Sequence, residues 1–218
     1  GTFNFTVTAT DANGQTGTRA YTLTVNVPTL TLTPAAVPAG TAGTAYSQAF
    51  TASGGIGPYT YTLTGTLPAG VTFAGNTLSG TPTVAGTFTF SVTATDSTAG
   101  TPATITQNYS LVINAPTLVL SPTTVPSAIQ NTPYSVTLST TGGTAPYAYT
   151  VTTGTLPPGL TLTTAGVLAG TSTTAGTYAF TVTSTDTYGF TTSRAFTLLV
   201  QDRPDPSQDP EVRGLLEA

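Results

Sequence analysis

The phrase GTFNFTVTATD at residues 1 to 11 returns as GTFTFSVTATD at 86 to 96 and as GTYAFTVTSTD at 176 to 186. Self-similarity of this kind marks a chain assembled from repeated supersecondary units. The copies begin at Gly1, Gly86 and Gly176, so the period is 85 and then 90 residues. That is the size of one small all-β domain, large enough to bury a core without metal or disulfide. Inside the first copy Phe3, Phe5, Val7 and Ala9 alternate with Asn4, Thr6, Thr8 and Thr10. A period of two predicts a half-buried strand with its aromatic face inward. Phe88, Phe90 and Val92 repeat the pattern, as do Tyr178, Phe180 and Val182. Each copy is followed by a loop and a second alternating segment: RAYTLTV at 19 to 25, QNYSLVI at 107 to 113 and RAFTLLV at 194 to 200. These pairs read as hairpins, the last two strands of a sandwich. Asn13-Gly14 predicts a type I′ turn in the first of them.

The order upstream of the second and third copies is also shared. PTLTLTP at 28 to 34 matches PTLVLSP at 116 to 122, and LSGTPTVAGTF at 78 to 88 matches LAGTSTTAGTY at 168 to 178. GGIGPYTYTLTGTLPAGVTF at 54 to 73 matches GGTAPYAYTVTTGTLPPGLTL at 142 to 162 with one residue inserted. Gly and Pro recur between short runs, the turn spacing of a β-sandwich. The expected layout is a two-strand remnant at 1–27, complete domains at 28–115 and 116–201, and a tail at 202–218. An isolated hairpin is marginal in water. The chain is therefore expected either to be a piece of a longer repeat array or to pair its first strands with something else.

The chain has no Cys, His, Met, Trp or Lys, which removes thiol and imidazole nucleophiles, histidine bases and lysine Schiff bases. Residues 1 to 201 hold only Asp11, Asp96, Asp186, Arg19 and Arg194 as charged side chains. A basic face for nucleic acid cannot be built from them. With 56 threonines and 6% charged residues, the composition is that of a secreted β-repeat. No apolar run is long enough for a membrane-spanning helix, and no signal peptide is present, so an export signal would lie outside this sequence.

The motifs LPAG at 67 to 70, LSGTP at 78 to 82 and the closing GTFTFSVTATD resemble the bacterial immunoglobulin-like repeat, related to the cadherin-like domains of dystroglycan type. The resemblance covers about residues 1 to 201. It implies a sandwich of seven or so strands in large secreted surface proteins, and no enzyme activity. The tail DRPDPSQDPEVRGLLEA is similar to the segment preceding the translocator barrel of some proteobacterial autotransporters. That implies an outer-membrane barrel in a continuation of the chain. Pro204, Pro206 and Pro210 predict an extended stretch. Asp209-Pro210-Glu211 then predicts a helix start, with Val212, Leu215 and Leu216 on one face.

Asp11, Asp96 and Asp186 end equivalent strands and are candidate calcium ligands. Calcium takes six to eight oxygens, usually from several carboxylates, whereas each repeat offers one acid. The competing expectation, which the residue types favour, is that each Asp bonds its own backbone to start the turn. The tail acids Asp202, Asp205, Asp209 and Glu211 lack the glycine and register of a calcium loop and read as a solvated linker. Thr-x-Thr strings raise ice binding or O-glycosylation, but alternating Thr is also what an uncharged sandwich exposes. That plain reading holds unless several strands align their threonines on one flat face. Asn4-Phe5-Thr6 and Asn108-Tyr109-Ser110 match the glycosylation triplet but fall within predicted strands. Tyr59 with Tyr61 and Tyr147 with Tyr149 are the candidate glycan or partner contacts, one of each pair expected to point inward and the other outward.

These readings converge on a non-catalytic extracellular stalk or adhesion module of a bacterial surface protein, an autotransporter passenger fragment. Its expected partners are neighbouring repeats, copies of itself, or a host or surface glycan or protein. Two alternatives stand beside it: a filament subunit assembled by strand addition through residues 1–27, and a calcium- or glycan-binding module.

Overall fold

The computed structural model describes residues 1–203, and among them every regular element is a strand. The predicted extended stretch from Pro204 and the helix start at Asp209-Pro210-Glu211 lie outside the described residues. Strands β1 (Thr2–Thr10) and β2 (Thr16–Thr24) form a two-stranded ribbon in full antiparallel register. The first complete repeat runs through β3 (Thr31–Thr33), β4 (Gly40–Thr41), β5 (Tyr46–Ala49), β6 (Thr51–Ser53), β7 (Thr60–Gly65), β8 (Val71–Ala74), β9 (Thr77–Gly80), β10 (Gly86–Thr95) and β11 (Thr104–Asn114). One layer has the order β4-β11-β10-β7, and the other is made of β3-β6 and β5-β9-β8.

These nine segments amount to seven strands, because two strands are interrupted. Phe50 alone separates β5 from β6. Its N–H donates to the Asn76 carbonyl at 2.8 Å, and its carbonyl accepts from Asn76 Nδ2 at 2.8 Å. The β8–β9 turn thus satisfies the backbone where the strand leaves its ladder. The first strand changes layers between β3 and β4, across Pro34 and Pro38, which carry no N–H for a ladder. Side chains hold that crossing: Tyr109 Oη donates to the Pro34 carbonyl at 2.8 Å, Gln107 Nε2 to Ala35 at 2.7 Å and Tyr46 Oη to Pro38 at 3.0 Å.

The second repeat follows the same plan. Its strands are β12 (Val119–Ser121), β13 (Ala128–Ile129), β14 (Pro133–Thr137), β15 (Ser139–Thr141), β16 (Ala148–Gly154), β17 (Leu160–Leu162), β18 (Val167–Thr171), β19 (Gly176–Thr185) and β20 (Thr191–Gln201). The layer orders are β13-β20-β19-β16 against β12-β15 and β14-β18-β17, with β13 parallel to β20. The residue inserted into the second repeat is accommodated as a register shift in β16 between Val151 and Thr153. A bulge there leaves Thr152 unpaired in the ladder without flipping the strand's faces beyond it.

The alternation read from the sequence sorts the core. Phe90, Val92, Tyr109, Leu111 and Ile113 are buried in the first repeat, and Phe180, Val182, Phe196, Leu198 and Val200 in the second. Phe50 meets Tyr109 edge-on at 5.1 Å and Phe73 at 6.0 Å, joining the two layers. One position pair differs in kind. Ala52 and Ala94 of the first repeat correspond to Thr140 and Ser184 of the second, all four buried, and Thr140 Oγ1 donates to Ser184 Oγ at 2.7 Å. A buried hydroxyl is tolerated because its partner is replaced with it.

The first copy of the phrase departs from expectation. Phe3, Phe5 and Val7 do not face inward, since every residue of β1 and β2 is exposed. Among the described residues no second layer covers the ribbon. Its turn is not type I′ either. That turn needs positive φ at both central residues, and Asn131 is the only non-glycine with positive φ among the described residues. Instead the Asp11 carbonyl accepts from Gly14 N–H at 3.1 Å and Gly14 takes a φ of 85°. The result is a type I turn ended by a left-handed glycine.

Leu198→Ala is expected to lower stability by about 2–5 kcal/mol, the usual range for a buried leucine, whereas Leu23→Ala in the ribbon should cost under about 0.5 kcal/mol. Chemical denaturation of the two variants checks both.

Candidate functional site

The three aspartates occupy the same place at the head of a loop, and each turns its carboxylate onto backbone N–H groups. Asp11 Oδ1 accepts from Asn13 and Gln15 at 2.9 and 2.8 Å. Asp186 Oδ1 accepts from Tyr188 and Phe190, both at 2.9 Å, in an identical D-x-x-G loop that ends at Gly189. Asp96 heads a longer loop and accepts from Ala103 at 2.7 Å and from Thr98 at 3.3 Å.

In the two complete repeats the second oxygen reaches a different loop. Asp96 Oδ2 accepts from Ile56 N–H at 3.2 Å, and Asp186 Oδ2 accepts from Thr144 N–H at 3.0 Å. Both donors follow a glycine doublet, and the geometry explains the doublet. A Cβ on Gly54 would stand 2.3 Å from the Thr29 carbonyl oxygen, and one on Gly55 would stand 2.3 Å from Asp96 Oδ2. Gly142 and Gly143 are confined in the same way by Thr117 and Asp186, and all four have positive φ. The N–H that follows each doublet and its aspartate, 40 residues apart in the first repeat and 42 in the second, therefore form one constellation. Sequence reasoning placed the aspartate in its own turn and missed this second tie. Its signal was present in the recurrence of a GG doublet ahead of the aspartate in both repeats, Gly54-Gly55 before Asp96 and Gly142-Gly143 before Asp186.

Asp96 and Asp186 are buried. The Thr98 hydroxyl, 2.5 Å from Oδ2, is the largest influence on Asp96 and holds its carboxyl below the ordinary carboxylate range. Burial acts in the opposite direction, and the N–H groups of Ala103, Ile56 and Thr98 add to the lowering. Lone pairs that accept N–H and O–H donors are not directed at a cation. Among the described residues no three His, Cys, Asp or Glu side chains come together as metal ligands.

The tyrosines do not alternate in and out. Residues two apart in a strand share a face, and Tyr59 and Tyr61 are both half-buried. Tyr59 Oη donates to the Gly54 carbonyl at 2.5 Å, while Tyr61 Oη accepts from Ala52 N–H at 2.9 Å. With Thr60, Gly75 and Asn76 they line a shallow cleft. Tyr147 repeats the Tyr59 bond to Gly142 at 2.5 Å, but Tyr149 is buried in the core. The cause is a longer turn. β8 and β9 are joined by Gly75 and Asn76, whereas β17 and β18 are joined by residues 163 to 166, and a Cβ on Gly166 would stand 2.9 Å from the Tyr149 ring.

The outer faces carry aligned hydroxyls. Ser91 of β10 stands opposite Thr64 and Asn108, Thr93 opposite Thr62 and Thr106, and Thr95 opposite Thr60 and Thr104. Thr64 bonds Ser91 at 2.7 Å and Thr93 bonds Thr106 at 2.8 Å; in the second repeat Thr183 bonds Ser193 at 2.8 Å. Threonines thus align across three strands. The hydroxyls are partly spent on one another, and each pair strengthens the sheet as a cross-strand contact.

The sequence pattern of the family described as "Putative Ig domain" matches residues 28–114 and again 116–201. The chain belongs to that family. No curated protein matches it. Among solved structures, the protocadherin gammaB7 EC3-6 cis-dimer is 14% identical over 96% of this chain and 60% of its own, with a TM-score of 0.35. Mouse cadherin-23 EC22-24 is 18% identical over 81% of this chain and 67% of its own, with a TM-score of 0.34. A putative alpha-galactosidase from Bacteroides fragilis is 23% identical over 39% of this chain, with a TM-score of 0.33; the chain spans 17% of its length. The family assignment rests on the two tandem sequence matches.

For these Ig repeats, Asp186→Ala leaves buried N–H groups without an acceptor and is expected to cost about 2–4 kcal/mol. Asp96 gives a pH signature. A carboxyl lowered in the folded state adds stability above its unfolded value of about 3.9, and that stability is lost as the pH falls through the folded value. The melting-temperature gap between the natural chain and Asp96→Asn should be widest above about pH 4 and narrow on acidification. Thermal melts across that range check it.

Proposed function

We propose that the chain is a non-catalytic spacer and adhesion module on the outside of a bacterial cell, in the passenger of an autotransporter-like surface protein. The observation that carries this reading is the use made of the acids within the complete repeats. Asp96 and Asp186 are committed to backbone N–H groups, so neither is free to move a proton or attack a substrate. What the repeats present outward is uncharged hydroxyl surface on a frame that closes without thiol chemistry. A module that folds without oxidants or cofactors suits export, and tandem repeats suit a role in reach.

The reading is tested by mechanics and by location. Pulling the chain should give two force peaks, each releasing about 30 nm at roughly 3.6 Å per residue; repeats that yield without a peak would not serve as a stalk. Antibody to residues 28–201 should label intact cells of the source organism, and labelling only after lysis would overturn the placement. Melting midpoints with calcium and with chelator are expected to coincide; a rise with calcium would favour the calcium-binding alternative. A second reading, a subunit joined to its neighbours by strand addition through residues 1–27, is favoured by the bare apolar face of the ribbon. Native mass measurement separates the two: a monomer supports the stalk and a concentration-dependent series supports the filament.

A further inference from the structure

A strand at the margin of a sheet carries main-chain N–H and C=O groups with no ladder partner, and folded proteins guard such margins with charge, proline, a bulge or brevity. The complete repeats are guarded unequally. In each, the margin formed by the first strand is short, β4 and β13 being two residues long. At the opposite margin of the second repeat, β16 is bulged between Val151 and Thr153, and the hydroxyl of Thr152 turns back onto its own sheet, 3.0 Å from Thr183 Oγ1. Its counterpart β7 has none of these devices. β7 closes the layer β4-β11-β10-β7, pairs with β10 without a register shift, and includes neither proline nor a charged side chain.

The bonds at the two ends of β10 set the phase of β7. Asp96 N–H donates to the Ala103 carbonyl at 3.0 Å, on the β11 side, and Thr66 N–H donates to the Thr89 carbonyl at 3.1 Å, on the β7 side. Antiparallel alternation then turns the main-chain groups of Thr60, Thr62 and Thr64 toward β10, and those of Tyr61 and Leu63 toward the open margin. The side chains alternate as well: the three threonines are exposed, whereas Tyr61 and Leu63 are half-buried. Tyr61 Oη accepts from Ala52 N–H at 2.9 Å, which holds its ring beside the margin. Hydroxyl and apolar side chains therefore succeed one another alike in both directions from Thr62. A two-fold pair sets each charge against its own like, so a neutral margin suits a second copy of the same chain. Residues 28–115 hold one charged side chain, Asp96, and it is buried.

We propose that β7 is a self-association edge, at which two copies of the chain join their first complete repeats by antiparallel β7 to β7 pairing centred on Thr62. In that register each Tyr61 exchanges main-chain hydrogen bonds with Leu63 of the other copy, and Thr62 faces Thr62. The Tyr61 ring lies across from Leu63 and Thr60 lies across from Thr64, aromatic with aliphatic and hydroxyl with hydroxyl, pairings that stabilise antiparallel strands. Such a pair is isologous and stops at two copies. It uses no part of residues 1–27 and does not rest on the extracellular reading. Paired spacers remain spacers, and a chain that stays single leaves that reading standing.

Sedimentation equilibrium and amide exchange of the full chain over a concentration series test this. The natural chain should pass from monomer to dimer and no further. Exchange at Tyr61 and Leu63 should slow at least about 10-fold as the dimer fills, while the amides of Thr62 and Thr64, already turned to β10, hold steady. Thr62→Lys and Thr62→Asp each set like charges about 5 Å apart across the two-fold, and each alone should raise the dimer's dissociation constant at least about 10-fold. Mixing the two variants should restore a heterodimer at least as tight as the natural pair, and the uncharged Thr62→Ser should dimerise as the natural chain does. Unchanged melting midpoints show that the variants are folded. A natural chain that stays monomeric throughout, or grows beyond two copies, overturns the proposal. So does a dimer that both charged variants leave intact, where the ribbon or another surface holds the copies, and so does a mixture no tighter than either charged variant alone.

Discussion

A two-stranded ribbon with one aromatic face cannot hide that face by itself, and the rest of each repeat follows from this. The apolar residues of β10 and β11 need a layer above them, and Phe50 with Phe73 supplies its centre. Burial of side chains of this size contributes roughly 1.5–3 kcal/mol apiece before entropy is counted. That is enough to order the short strands β3, β5, β6, β8 and β9, which could not stand alone. Where the layer is absent, as in β1 and β2, the register survives but the burial does not.

The polar groups do a different task, fixing how the layers connect. The carboxylates of Asp96 and Asp186 hold the loop after the penultimate strand to the glycine-doublet loop, and the doublets leave room for them. No buried side-chain nitrogen or oxygen lacks a partner among the described residues. A core closed in this way needs neither metal nor disulfide, which fits a chain without cysteine or histidine.

Much of this was legible in the residues. The period of two in FTFSVTATD and FTLLV named the buried side chains of both repeats, because strand geometry leaves each side chain only two directions. The threonines followed as the outer face. The aspartate's role in its own turn was legible too, since Asp bonds backbone N–H groups two and four residues on. The tyrosine pairs were misread: i and i+2 share a face, and only the lengths of the β8–β9 and β17–β18 turns separate a half-exposed Tyr61 from a buried Tyr149. Asn13-Gly14 was misread as a two-residue turn because the Asp11 carboxylate holds a longer loop.

By itself, then, the sequence determined the strands, their faces and the repeat unit, all consequences of local alternation and turn chemistry. The tertiary structure alone decided that the glycine-doublet loop and the aspartate meet, across 40 residues in the first repeat and 42 in the second. It also decided that Thr140 and Ser184 form one buried pair, and that the first copy of a shared phrase stands open while the other two are closed. Those outcomes depend on what lies opposite a side chain in the second layer, and a strand's own pattern carries no record of its opposite layer.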